Sequence, residues 1–347
     1  MKDAFKVEVL GTFDEPWAMT LLPDGKSALI TERSGTLRLW PEFGTTKVRQ
    51  SFEVAYGGQG GLGDVVLAPD FGSATSPEVY LSWVEAGPDD KRGAVVGRTA
   101  LIAQRDGTLV FRPEVLWRQT PKVTGRGHFS HRMAFSPDGK YLFVASGERQ
   151  KFTPAQDLSN NLGKILRLNL DGTPAAGNPF ADKGGVTAQI WSYGHRNILG
   201  LQFDAQGRLW ALEHGPAGGD ELNLVKPGQN YGWPLVSDGD HYDGKPIPRH
   251  ATRPDLAQPA ISWNPVIAPG DFIFYSGKLW PEWKGQALIT GLGSQGLVRV
   301  RIDGARGIEE ARYPLGKRIR EIREAPDGAL LLLEDGPGGR LLRLSRK

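Results

Sequence analysis

A short unit recurs along this chain, in which a Gly- or Asp-bearing turn enters a brief apolar strand and a second strand follows after a few polar residues. Its clear copies are LPDGKSALITERSGTLRLW, SPDGKYLFVASGER, DAQGRLWALEHG, EWKGQALITGLGSQGLVRVRI and APDGALLLLEDGPGGRLLRLS, and APDFGSATSPEVYLSWV is a weaker sixth. The turn glycines Gly25, Gly72, Gly139, Gly207, Gly285 and Gly328 fall on average about 61 residues apart, near the longer periods of propeller blades. Segments of ten or more residues with apolar positions at helical spacing are few, whereas short apolar or alternating runs between turns are many, so the chain reads as all-β. The six marks predict a six-bladed β-propeller with four-stranded antiparallel blades, residues 1–347 forming one domain. The opening strand FKVEVLGTF has no preceding partner and is expected to complete the last blade beside GRLLRLS. A pair of β-sandwiches or a barrel with coincident PDG turns is the competing architecture.

Composition narrows the chemistry. Cys is absent and Met occurs three times, which excludes disulfide scaffolds, thiolate metal sites, Fe–S clusters and cysteine nucleophiles. Any metal must be held by oxygen or imidazole. The 42 Lys and Arg are interleaved with 39 Asp and Glu, so no contiguous basic face invites nucleic acid. The mean hydropathy is −0.35, and no apolar run approaches the ~18 residues of a membrane span. MKDAFKVEVLGTF lacks the apolar core of a signal peptide, which leaves a cytoplasmic protein or a chain that begins after cleavage. Long stretches between strands, residues 146–163 and 232–272, are where binding is expected on a rigid scaffold.

Several polar clusters follow strands directly. They are GGQGGLGDVVLAPDF with Gln59, GRGHFSHRMAF with His128 and His131, SGERQKFTPAQDL with Glu148, SYGHRNILGLQF with His195, Arg196 and Asn197, EHGPAGGDELNLVKPGQNYGWP, and GKRIREI with Arg318 and Arg320. A propeller would gather them at one face or near its axis, uniting a base, cations and oxygen ligands. Taken singly, His128 also reads as a hydrogen-bonded core histidine and the arginine pair as a solvated strand face.

The runs AQDLSNNLGKILRLNLDGTPAAGNPF, IWSYGHRNILGLQF and EHGPAGGDELNLVKPGQNYGWP resemble the soluble aldose sugar dehydrogenases that depend on pyrroloquinoline quinone (PQQ), the glucose/sorbosone dehydrogenase family. PWAMTLLPDGKSALITER and GKRIREIREAPDG extend the resemblance over essentially the whole chain. It implies a six-bladed propeller that takes a proton from the C1 hydroxyl of an aldose while the C1 hydrogen leaves as hydride to the C5 carbonyl of PQQ. His128 matches the family's base, and Arg196 would stabilise charge developing on the quinone oxygen. Gln59, Arg196, Asn197, Tyr242, Arg318 and Arg320 match cofactor contacts. The carbonyls of Gly215 and Pro216 match ligands of a calcium ion linked to PQQ, and the Glu221 side chain and Tyr231 carbonyl match ligands of a second, structural calcium. Asp220 is expected to stand behind those ligands or to be exposed.

The chain departs from the family at four positions. Ser294, followed by Gln295, stands at the cofactor position where glucose-oxidising members carry Lys, Val266 stands for a Thr contact, Glu148 for Asp, and His131 for a small residue. These changes bear on cofactor affinity and on which sugar fits. The resemblance further implies an aldose substrate, an external electron acceptor, a monomer or homodimer, and a periplasmic or secreted location. A calcium-dependent propeller lactonase and a propeller that only binds are the alternative functions.

Overall fold

In the computed structural model, which describes residues 5–41, 47–50, 53–72, 78–103 and 108–347, strands dominate and the helices are short 3-10 turns of three or four residues. The strands form a six-bladed β-propeller with four-stranded antiparallel blades. From the axis outward, blade 2 holds Leu62–Leu67, Glu78–Ala86, Lys91–Ala100 and Glu114–Arg118. Blade 3 holds Ser130–Phe135, Tyr141–Ser146, Lys164–Asn169 and Ile190–Tyr193, and blade 4 holds Ile198–Phe203, Leu209–Glu213, Asp220–Leu224 and Ile261–Trp263. Blade 5 holds Pro269–Phe274, Ala287–Gly291, Gly296–Asp303 and Arg306–Pro314. Blade 1 shows Pro16–Leu21, Ala28–Glu32 and Thr36–Trp40 among the described residues. Part of the weakest sequence copy, residues 73–77, lies outside the described residues.

Blade 6 is built from both ends of the chain. Ile319–Glu324, Leu330–Glu334 and Gly339–Ser345 are completed by Lys6–Phe13, which pairs antiparallel to Gly339–Ser345 from Lys6 opposite Ser345 to Phe13 opposite Gly339. The expected role of the opening strand is therefore met.

The repeated turn is legible as chemistry. Asp24 Oδ1 accepts the amides of Lys26 and Ser27 at 2.8 Å, a side-chain turn that leaves Gly25 at φ 64°, where a Cβ is disfavoured. Apolar runs then bury both faces, because successive side chains point opposite ways. In Leu330–Glu334, Leu330 and Leu332 enter the cluster between blades 5 and 6, while Leu331 and Leu333 enter the cluster between blades 6 and 1. Six such apolar clusters fill the six interfaces of the ring.

The feature that positions the site is a register slip at the start of every innermost strand. Pairing to the second strand breaks between Pro16 and Ala18, Leu62 and Val65, Ser130 and Met133, Ile198 and Gly200, Pro269 and Phe272, and Ile319 and Glu321. An extra residue in one strand re-aims its side chain. Trp17, His131, Leu199 and Arg320, which fall within these slips, all line one cavity. Their neighbours Asp64, Arg132, Asp271 and Glu321 are buried at the innermost strands and, with Arg323, form a chain of ion pairs.

Candidate active site

The cavity at the strand starts has a volume of about 280 Å³. Its walls include Gln59, Asn197, His214, Arg33, Arg318 and Arg320, so a space of ligand size is ringed by amides and guanidinium groups. Arg318 and Arg320 both turn to Asp335, through Nε contacts of 2.8 Å to its two oxygens, so the two guanidinium groups share one anchor. Arg33 is held by Glu15 at 3.1 Å and donates to the carbonyls of Gly58 and Gly60, clamping the turn that carries Gln59. Sequence reasoning passed over Arg33, although it follows a strand in ITERSG just as the other polar clusters follow theirs.

Gln59 links this turn to the histidine. Its Oε1 accepts the backbone N–H of His128 at 2.7 Å, while its own N–H binds the Arg126 carbonyl. His128 stands beside the cavity, whose lining takes up the next three residues, Phe129, Ser130 and His131. The imidazole Nδ1 of His128 contacts Glu148 Oε1, and the carboxylate also accepts the amides of Gln150 at 3.0 Å and Phe152 at 2.6 Å. Burial drives the imidazole below its ordinary value of 6.5 against the pull of Glu148. Burial would raise the Glu148 carboxyl, but its hydrogen bonds to His128 and to backbone amides hold it below the usual carboxylate range. The result at neutral pH is a neutral imidazole whose Nδ1–H is donated to a carboxylate and whose Nε2 carries the lone pair.

The loops that carry this pair are strained. Of the eleven described non-glycine residues with positive φ, six lie here: His128, Ser130, His131, Arg149, Gln150 and Phe152. Such conformations persist where the surroundings over-determine them. Arg149 supplies much of that constraint, donating to the carbonyls of Gly127, Arg92 and Gly125 and lying 3.8 Å from the centre of the Phe129 ring. Burial lowers it to about 10, so it is still charged at neutral pH.

Arg196 is anchored by its backbone N–H to Glu213 at 2.7 Å and by one guanidinium nitrogen to the His214 carbonyl at 3.1 Å, while its buried Nε has no partner among the described residues. Tyr242 stands 3.4 Å from Arg196 by its hydroxyl but is 78% exposed and outside the cavity lining. Asn197 lines the cavity and accepts from Ser130 Oγ through its amide oxygen. His195 is a structural histidine, bonded to Ser192 and Glu213 and stacked on Tyr231 at 4.6 Å. His131 is likewise bound rather than free: its ring stacks on Trp17 at 5.1 Å, its Nδ1 meets Ser82 Oγ at 2.8 Å, and burial lowers it to about 3. A Cβ on Gly63 would lie 1.9 Å from that ring, so the larger side chain is accommodated by a glycine opposite. His214, which the sequence reading did not single out, lines the cavity with its Nε2–H on the Pro269 carbonyl.

Other expected residues fall elsewhere. Ser294 does not line the cavity; its buried hydroxyl lies against Gly291, where an added Cβ would come within 1.8 Å of it. Val266 is exposed and also outside the lining. Asp220 takes the first of its two expected placements, behind the Gly215–Pro216 turn: it is fully buried and accepts the amides of Gly215, Ile267 and Ala268, strapping two loops together. Burial raises it to about 6 against those three bonds.

The two implied calcium positions differ in fit. Among the described residues the carbonyls of Gly215 and Pro216 accept no hydrogen bond, so two oxygens are available to a hard cation. The Glu221 carboxylate, by contrast, has both oxygens engaged, by His250 Nε2 at 2.8 Å and Asn223 Nδ2 at 3.1 Å, which does not fit the ligand role. Tyr231 is buried beside it with its phenol on the Leu224 carbonyl.

Comparison with known proteins completes the description. Residues 13–343 match the family model described as Glucose / Sorbosone dehydrogenase. The chain is 40% identical to the aldose sugar dehydrogenase YliI of Escherichia coli (strain K12), over 98% of this chain and 92% of that one. The crystal structure of the soluble aldose sugar dehydrogenase from Escherichia coli in the apo-form superposes with a TM-score of 0.91 at 39% identity, covering 99% of this chain and 100% of that one. The PQQ-bound form of the aldose sugar dehydrogenase from Streptomyces coelicolor superposes with a TM-score of 0.75 at 27% identity, covering 99% and 98%.

Proposed function

This chain belongs to the glucose/sorbosone dehydrogenase family and is a sugar oxidoreductase, and from that premise we propose that it oxidises the C1 hydroxyl of an aldose to the lactone with PQQ, passing the electrons to an external acceptor. The observation that carries this reading is the His128–Glu148 pair beside a cavity ringed with guanidinium groups. When bound, the quinone supplies a two-electron acceptor for the C1 hydrogen, and a calcium ion on the carbonyls of Gly215 and Pro216 supplies a Lewis acid that polarises it.

The chain's own residues supply the remainder. Glu148 fixes the His128 tautomer, so that Nε2 accepts the proton of the C1 hydroxyl and later releases it to solvent. A group kept neutral by burial is ready to take that proton at neutral pH. Arg33, Arg318 and Arg320 suit a ligand with three carboxylates, and Asp335 holds two of these cations in a fixed orientation. Arg196, which lines the adjoining space together with Gly215, is suited by its charge to an oxygen that gains negative charge. Gln59 and Asn197 add neutral donors and acceptors around the same space. Among the described residues no helix is long and apolar enough to cross a membrane. We propose a periplasmic or secreted location on the family's precedent alone.

The test is a titration of chelator-stripped protein with PQQ at fixed excess calcium, following dye reduction with a panel of aldoses. Saturable activity that requires both additions supports the reading. Failure of PQQ to bind or to support turnover at roughly micromolar concentration overturns it and favours lactone hydrolysis or binding alone.

A further inference from the structure

Glu221 matches the family's ligand in sequence, but the side chains packed around it have a chemistry of their own. The carboxylate lies in register opposite Glu213, so two buried acids sit side by side on neighbouring strands. Each has its own imidazole: His195 Nδ1 meets Glu213 Oε1 at 2.9 Å, and His250 Nε2 meets Glu221 Oε1 at 2.8 Å. Asn223 bridges them, its amide nitrogen 3.1 Å from an oxygen of each.

His250 is built into this position. It begins the 3-10 turn His250–Thr252, its backbone N–H binds Asp238, and its carbonyl accepts from Gln258. The space left in front of Glu221 is about 10 Å³, room for roughly one water. Arg196, Trp233 and His250 all line it, and each has a buried ring or guanidinium nitrogen without a partner among the described residues. Calcium takes about six to eight oxygen ligands. A guanidinium and an indole N–H are wrong for it in both charge and polarity. They suit a water oxygen, which accepts from Arg196 and Trp233 and donates to His250 Nδ1.

We propose that the Glu221 position of this chain is metal-free, with the His250 side chain in the place of the family's second calcium and one water filling the remaining space. The inference rests on the family reading of Glu221 and does not depend on whether the quinone binds. The test compares chelator-stripped protein with its Glu221→Gln variant, without quinone, by metal analysis after dialysis against calcium and by thermal unfolding with and without calcium. The expected result is the same number of bound ions, and the same calcium-induced shift in Tm, in both. A bound ion that E221Q loses, or a rise of roughly 4 °C at a hundredfold excess over Kd that E221Q abolishes, overturns the proposal.

A second variant asks whether His250 is the cause. His250→Gln replaces an imidazole with an oxygen donor and is expected to gain a calcium-dependent rise in Tm. A folded H250Q that gains none counts against the proposal. Should E221Q fail to fold, the count on the parent decides: with quinone loading measured by absorbance in the same sample, one ion per loaded chain supports the inference and two overturn it.

Discussion

His128 does its work through two opposed influences, burial that keeps it neutral and a carboxylate that fixes which nitrogen is free. Because its folded value lies below 6.5, kcat/KM of the free enzyme is expected to hold down to that pH and to fall only as the medium becomes more acidic. Glu148→Gln removes the anion that opposes burial, so the acid limb should move to still lower pH while the plateau drops at least about tenfold. A limb that moves upward, or a plateau unchanged, would contradict the pairing. His128→Ala should lose roughly 10²–10⁴ in kcat with quinone affinity largely kept, as read by activity per bound cofactor. His131 makes the opposite case, a histidine whose proton matters to folding. Held at about 3 when folded, it takes up a proton only on unfolding, so its contribution to stability is present above 6.5 and is lost as pH falls toward 3. His131→Phe should therefore lower stability at pH 7.5 by about 1 kcal/mol, through the lost bond to Ser82, and the deficit should shrink between pH 6.5 and 4.5 in Tm measurements. A deficit that grows in acid would refute this account.

The innermost strands divide their side chains between a ligand cavity and a buried ion-pair chain because each begins with a register slip. Arg132 lies at the centre of that chain, 3.4 Å from Asp64 and 2.8 Å from Glu321, with Nε on the Leu199 carbonyl and the guanidinium 4.1 Å from the centre of the Trp17 ring. Arg132→Met leaves two buried carboxylates short of a cation and is expected to cost about 3–5 kcal/mol by urea unfolding. Adding Glu321→Leu should recover part of that loss; a single variant within about 1 kcal/mol of the parent would show the chain to be energetically idle. None of this was legible in the sequence. Asp64 and Arg132 are single acidic and basic residues in otherwise apolar or neutral stretches, Glu321 is one of four charges in IREIRE, and only the slip, a three-dimensional pairing event, turns the three inward together. What could be read were the local signals: PDG turns whose Asp binds the next amides, leucine runs buried on both faces, and polar clusters after strands, which did bring His128, Gln59, Asn197, Arg318 and Arg320 to one place. Contacts fixed by neighbouring loops escaped, among them Arg33 on the Gly58–Gly60 turn, the bonds from Ile267 and Ala268 to Asp220, and Ser294 folded back on Gly291.

Across the whole molecule, stability is shared among six interfaces of similar make, and one of them depends on strands from opposite ends of the chain. Removing residues 1–13 would strip Lys6–Phe13 from Gly339–Ser345, take Phe5 from the core between blades 5 and 6, and expose an unpaired strand edge. We expect a Tm lower by about 10 °C or more and association visible by light scattering; an unchanged Tm in a monodisperse variant would show that the closing strand is dispensable. The same arrangement governs how the molecule is made. Lys6–Phe13 leaves the ribosome long before Gly339–Ser345, so five blades can assemble in order while the sixth stays unsealed until that later strand emerges. Until then the nascent chain carries a bare β-edge, with Val7 and Val9 in its unpaired strand. A helper that shields that edge, or an export route that keeps the chain extended until its final residues arrive, would decide how much of the protein ever becomes a closed ring.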